Sequence, residues 1–279
     1  RITGNTIVGG EVGIDVNGQA SDMRSYHNQV VGNFTYDQFA SGIRITNQSD
    51  VTVRKNEMYD VLSNSSYVLR VMNCYDTVNI LANKMYTSHG GQALGVSYAM
   101  GTSALPVLIA NNMVVCNDDG IANQQNTPFN IIQGQWMDVV YNSVKMNAPT
   151  RNNVAAATFG GGALSNSRFV NNIVTCYDES NYAFNYMPGS DVTNTIGYNV
   201  YYSNGYILNK RTGGSYTNID AWKQAVAMDS LSVSLDPTFL NGSLVDLRTF
   251  NRLVKGVGTP LTTVTTDMFD TLRSTTAPC

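Results

Sequence analysis

Charge is scarce in this chain. Of 279 residues, 17 are Lys or Arg and 20 are Asp or Glu, giving a formal net charge of −3 and a pI near 5.3. A nucleic-acid binder needs a basic stripe, so that class of partner is excluded. The histidines are His27 and His89 alone, and the four cysteines (Cys74, Cys116, Cys176, Cys279) include no CxxC pair. No zinc site is therefore expected. No stretch approaches the roughly 18 consecutive apolar residues of a membrane-spanning helix, so no membrane insertion is expected. A charged-then-apolar leader is also missing. The opening "RITGNTIVGG" already carries the internal pattern described next, as in a mature protein or an excised segment.

Asn, Ser, Thr, Gly and Tyr are plentiful, a composition that favours turn-rich all-β structure. "VTVRKNEMYD" (Val51 to Asp60) returns as "TVNILANKMYTS" (Thr77 to Ser88). With the asparagine at position zero, apolar residues fall at −5, −3 and +2. The template fits Val51, Val53, Asn56, Met58; Val78, Ile80, Asn83, Met85; Val107, Ile109, Asn112, Val114; and Met137, Val139, Asn142, Val144. Weaker copies centre on Asn172, Asn199, Asn28 and Asn5. The eight anchors are separated by 23, 28, 27, 29, 30, 30 and 27 residues.

A period of that size means a solenoid, propeller or array. Apolar residues alternate at period two, the strand signature, and neither leucine-rich nor helical repeats fit. Second short strands precede most anchors, at "GIDV", "GIRI", "YVLRV" and "ALGV". The expected fold is an all-β, right-handed, single-stranded parallel β-helix of about eight coils over residues 1–205. Residues 206–279 are expected to close it as a C-terminal capping segment with one short helix. Asn218 or Asp220 would cap that helix, and Trp222 with Phe239 would cover the last coil. The anchors Asn56, Asn83, Asn112, Asn142, Asn172 and Asn199 are read as a structural ladder. Each would supply the left-handed turn and hydrogen-bond coil to coil.

This pattern resembles the pectin-lyase-like superfamily of parallel β-helices. The tail, "SYTNIDAWKQA" with "DSLSVSLDPTF" and "LVKGVGTPL", resembles the C-terminal closure of secreted β-helix proteins of Bacteroidota. In those proteins a stretch like "TTAPC" runs on into a further strand. The resemblance thus implies a secreted or cell-surface location and a larger parent polypeptide.

Equal offsets stack in columns, which turns sequence into surface. Glu57 falls beside Lys84 and Asp138 beside Arg168, as opposite-charge pairs on neighbouring coils. Cys116 and Cys176 share an offset two coils apart, too far for a disulfide. Asp118 and Asp119 share offsets with Asp178 and Glu179 two coils later, and the coil between them contributes Arg151. Carboxylates so spaced suit an inverting glycoside hydrolase. Hard oxygen ligands at Asp118 and Asp119 would alternatively hold Ca²⁺, as in some β-helix lyases; no other cofactor is expected. No Arg-Ile-Lys motif accompanies "NDDG", and His89 lies one coil earlier. Asp15, Arg44 and Arg70 form an outward column, and two neighbouring guanidinium groups would hold a uronate or sulfate. The tyrosines Tyr75, Tyr86, Tyr98, Tyr177, Tyr182, Tyr186, Tyr201, Tyr202 and Tyr206 are possible sugar platforms, although strands favour Tyr in any case.

Two readings follow. The preferred one is a secreted or cell-surface scaffold or adhesin whose partner is a polysaccharide or surface glycan. The alternative is a polysaccharide hydrolase or Ca²⁺-dependent lyase.

Overall fold

The computed structural model describes residues 1–19, 25–63, 67–88, 91–117, 127–149, 153–188, 193–210, 214–241 and 245–278. The chain winds as a parallel β-solenoid with three strands per turn. Sheet I begins with Ile2–Thr3, Gln29–Val31 and Gln48–Arg54 and ends with Thr195–Gly197. Sheet II runs from Thr6–Val8 to Val200–Ser203 and gains Val233–Ser234 as its ninth strand. Sheet III runs from Val12–Asn17 to Tyr206–Lys210, and sheets I and III join into one 18-stranded sheet. About six turns, from Gln29 to Met187, are complete with a neighbour on each side. The eight coils expected from the repeat include the terminal rungs as well.

The period-two apolar residues point into one continuous core. Val53, Ile80, Ile109, Val139 and Phe169 form one inward column, and Met58, Met85, Val114, Val144 and Val174 another. In the later turns the core becomes aromatic, with Phe159, Phe169, Phe184 and Tyr201 in ring contact at 4.6–5.4 Å.

The asparagine ladder is real, but its mechanics differ from the expectation. Each ladder Oδ1 accepts two bonds from the previous asparagine, one from its backbone N–H and one from its Nδ2. Both are 3.0 Å between Asn83 and Asn112. Each Nδ2 also donates to a carbonyl of the rung before, as Asn112 does to Ile80 at 2.9 Å. The left-handed turn is made by the residue before each ladder asparagine: Gly4, Gly32, Lys55, Ala82, Asn111, Tyr141, Asn171 and Tyr198, all with φ between 53° and 67°. The asparagine therefore locks a turn that its neighbour makes. Asn28 is not a ladder member; it donates to Gln48 Oε1 at 2.8 Å. Asn33 takes that place, bonding to Asn5 and Asn56. The template missed it because its +2 position is Thr35, polar yet fully buried.

The end is closed by helix α1 (Ile219–Val226). Asn218 is its N-cap, accepting from the Asp220 N–H at 2.7 Å. Trp222 is fully buried, edge-on to Phe184, Tyr186 and Tyr216. Phe239 does not cover this end. From there the chain doubles back along the outside of the solenoid. A two-stranded piece (Phe239–Asn241, Asp246–Thr249) places Val245 and Leu247 on the outer face of sheet II against Met113 and Val115. Val264 then packs on sheet I against Ala110, Val140 and Val170. Thr259 meets Tyr141 and Asn171, Arg273 meets Asn111, and Asp270 reaches Arg54 and Lys55.

Candidate functional site

The C-terminal segment packs on sheets I and II, which directs attention to the outward side of sheet III. Its central column follows the register Asp15, Arg44, Arg70, Gly95, Asn130, Thr158, Asn185. Arg44 and Arg70 are cross-strand neighbours as expected, and their guanidinium groups have different partners. Arg44 is held bidentately by Asp15, with Nε donating to Oδ1 at 3.1 Å. The hydrogen bond to that carboxylate raises the Arg44 pKa further above its usual value. Arg70 has no carboxylate within ion-pair distance among the described residues. Its guanidinium instead lies over the Tyr67 ring, 4.9 Å from the centroid.

Tyr67 was missing from the tyrosines singled out in the sequence, and it is the most site-like of them. Its ring lies across Gly95: a Cβ placed there would come within 2.3 Å of a ring carbon. A glycine inside a strand usually weakens it and often marks a close approach. Here it lets an aromatic ring lie flat on the sheet next to a cation. The adjoining rungs carry amides and a hydroxyl. Asn130 Nδ2 donates to Gln92 Oε1 at 3.2 Å, and Thr158 pairs with Thr127 at 3.2 Å. Asn185 Oδ1, buried, has no hydrogen-bond partner among the described residues. The part of the strip with partly exposed side chains runs from Arg70 to Asn130, three rungs spanning about 10 Å at roughly 4.8 Å each, and beyond it Thr158 is buried. A planar ring, a cation and a row of amides can stack on a sugar face, hold an acidic substituent and bond to hydroxyls.

The acidic edge is less complete. Asp118, Asp119 and Arg151, with the Ca²⁺ ligands expected among them, lie outside the described residues. Asp178 is buried and accepts from the Ala148 N–H, so its carboxylate closes a turn. Glu179 beside it is exposed, and its backbone carbonyl packs against Gly205. Among the described residues no three His, Cys, Asp or Glu side chains gather as metal ligands.

The expected charge pairs form. Lys84 donates to Glu57 at 2.8 Å, and Arg168 holds Asp138 bidentately, with Nε to Oδ1 at 2.6 Å. Cys74, Cys116 and Cys176 are buried thiols, and desolvation pushes Cys176 up to about 12, away from reactivity. Of the tyrosines singled out in the sequence, Tyr186 and Tyr201 are core residues, and Tyr177 is engaged by Asp236, Lys145 and Tyr202. Tyr182 and Tyr206 stack at 5.5 Å at the far end of sheet III, with Tyr206 exposed. Among the described residues no helix is long and apolar enough to cross a membrane.

Compared with known proteins, the chain matches no family model, no curated protein and no solved structure.

Proposed function

We propose that this chain is a rigid polysaccharide-binding module, of scaffold or adhesin type, working in secreted form or at a cell surface within a larger polypeptide. Its place in the pectin-lyase-like superfamily, among Bacteroidota-type surface proteins, is part of the same proposal. The observation that carries it is the Tyr67 ring laid over Gly95 beside Arg70, at one end of an amide-bearing strip. The ligand class is an acidic glycan: a pyranose ring stacks on Tyr67, and a uronate or sulfate meets Arg70. The hydrolase or lyase alternative draws less support, because Asp178 is engaged in a buried turn.

Affinity electrophoresis through gels containing plant and algal polysaccharides, with and without Ca²⁺, tests this reading. Parallel assays would follow reducing ends and unsaturated products. The expected result is retardation by an acidic glycan without turnover, lost in Tyr67→Ala and Arg70→Ala. Turnover sensitive to Asp178→Asn would support the enzyme instead.

A further inference from the structure

Where the C-terminal segment crosses sheet II and its turn, it does not seal completely. A cavity of about 490 Å³ remains between it and the solenoid, on a different face from the proposed glycan strip. That volume lies within the roughly 300–1,000 Å³ typical of small-molecule sites. Its floor is the column one residue after the ladder. Earlier in that column stand the charged partners Glu57 and Lys84; here it reads Met113, Ser143, Ile173. Ser143 is small between two large apolar neighbours, which leaves a notch in the floor. Leu247 and Met268 contribute apolar wall, and the exposed Phe269 and Leu272 line it further.

The polar groups are mostly cationic. Arg273 lies over the Tyr141 ring, 3.9 Å from its centroid, and its Nη2 donates to Asn111 Oδ1 at 2.8 Å, which fixes its position. Lys255 is exposed and has no ion-pair partner among the described residues. Arg248 is matched by Asp246. Asp267 turns its Oδ1 to the Phe269 and Thr271 N–H groups at 2.8 and 2.9 Å. Lys255 thus sets a positive charge, without an ion-pair partner among the described residues, beside an apolar floor. We infer that the cavity binds a small amphiphilic monoanion: an apolar aromatic or alicyclic body bearing one carboxylate or sulfonate. The body would fill the notch over Ser143, and the anion would meet Lys255 and Arg273.

Titration of the intact chain with 1-anilinonaphthalene-8-sulfonate, followed by fluorescence at neutral pH, tests the inference. The expected result is saturable binding of one dye per chain. Ser143→Trp, which fills the notch, should weaken it tenfold or more, and Lys255→Glu about three- to tenfold. Arg252→Glu, nearby but outside the lining, should leave it unchanged. The uncharged N-phenyl-1-naphthylamine should bind at least tenfold more weakly. Absent or non-saturable dye binding would overturn the inference, as would equal binding by Ser143→Trp and Lys255→Glu or an equally tight neutral dye. If Ser143→Trp fails to fold, Lys255→Glu at its exposed position and the neutral dye still decide the question.

Discussion

Ser232 stands where a ninth ladder asparagine would be: its hydroxyl oxygen accepts the Asn199 N–H at 2.8 Å. The Ser232 proton goes to Asp229, whose other oxygen accepts the Trp222 indole N–H at 2.8 Å. One hydrogen-bonded chain therefore links the ladder to the helix that closes the core.

That link makes the cap sensitive to pH. Burial pushes the Asp229 carboxyl from 3.8 up to about 6, although its hydrogen bonds to Ser232 and Trp222 pull the other way. The folded state thus holds this proton more tightly than the unfolded state. The resulting stability is fully present below pH 4 and is lost as pH rises to about 6. The shift corresponds to roughly 3 kcal/mol at most. Unfolding midpoints measured by tryptophan fluorescence should carry this slope in the wild type, and Asp229→Asn should remove it.

Ladder positions should differ in weight according to burial. Asn142→Ala removes the acceptor of the Asn112 N–H and of one Asn112 Nδ2 hydrogen, and the Nδ2 donor to the Ile109 carbonyl, all in a dry interior. At about 1–3 kcal/mol per unsatisfied buried group, the loss should exceed about 3 kcal/mol. Asn5→Ala, at the exposed first rung, should lose less than about 1 kcal/mol in the same urea titration.

Ala82 sits at a left-handed turn position with φ 53°. A left-handed conformation costs an L-residue with a Cβ about 1–2 kcal/mol, while glycine pays roughly 0.5–1 kcal/mol in chain entropy. Ala82→Gly should therefore be neutral or stabilising by about 0.5 kcal/mol. Ala93→Gly, inside a strand, should destabilise by about 1 kcal/mol. Thermal melts of the two variants give opposite signs if the turn assignment holds.

The two ladder charge pairs should also separate. Asp138 is only 5% exposed, and removing it leaves Arg168 half-covered without its partner. Asp138→Ala should cost about 2–3 kcal/mol. Glu57→Ala, at a partly exposed pair, should cost below about 1 kcal/mol and fade with added salt. Urea unfolding at low and high salt checks both.

The repeat was legible in the sequence because burial alternates at period two and the ladder asparagine recurs at one offset. Register was legible too: Asp15 with Arg44, Glu57 with Lys84 and Asp138 with Arg168 all pair as stacking predicts. Asn33 was hidden because Thr35 and Gln38 are polar residues buried within the coil. The doubling-back of the tail carries no period, so only its capping helix could be read. Tyr67 and Gly95 became a site only in three dimensions. A tyrosine three residues before Arg70 has no meaning until the next rung is known to offer a gap. The cavity behind Ser143 depends on the same kind of long-range placement.

The most direct test of the glycan-binding account is calorimetric titration of the retained glycan into wild type and Gly95→Ala. The added methyl leaves Tyr67, Arg70 and every amide chemically intact, but it cannot coexist with the ring where it lies. The account predicts at least tenfold weaker binding with an unchanged fold by circular dichroism. Wild-type affinity in Gly95→Ala, or a wild type that no glycan retains, would contradict it.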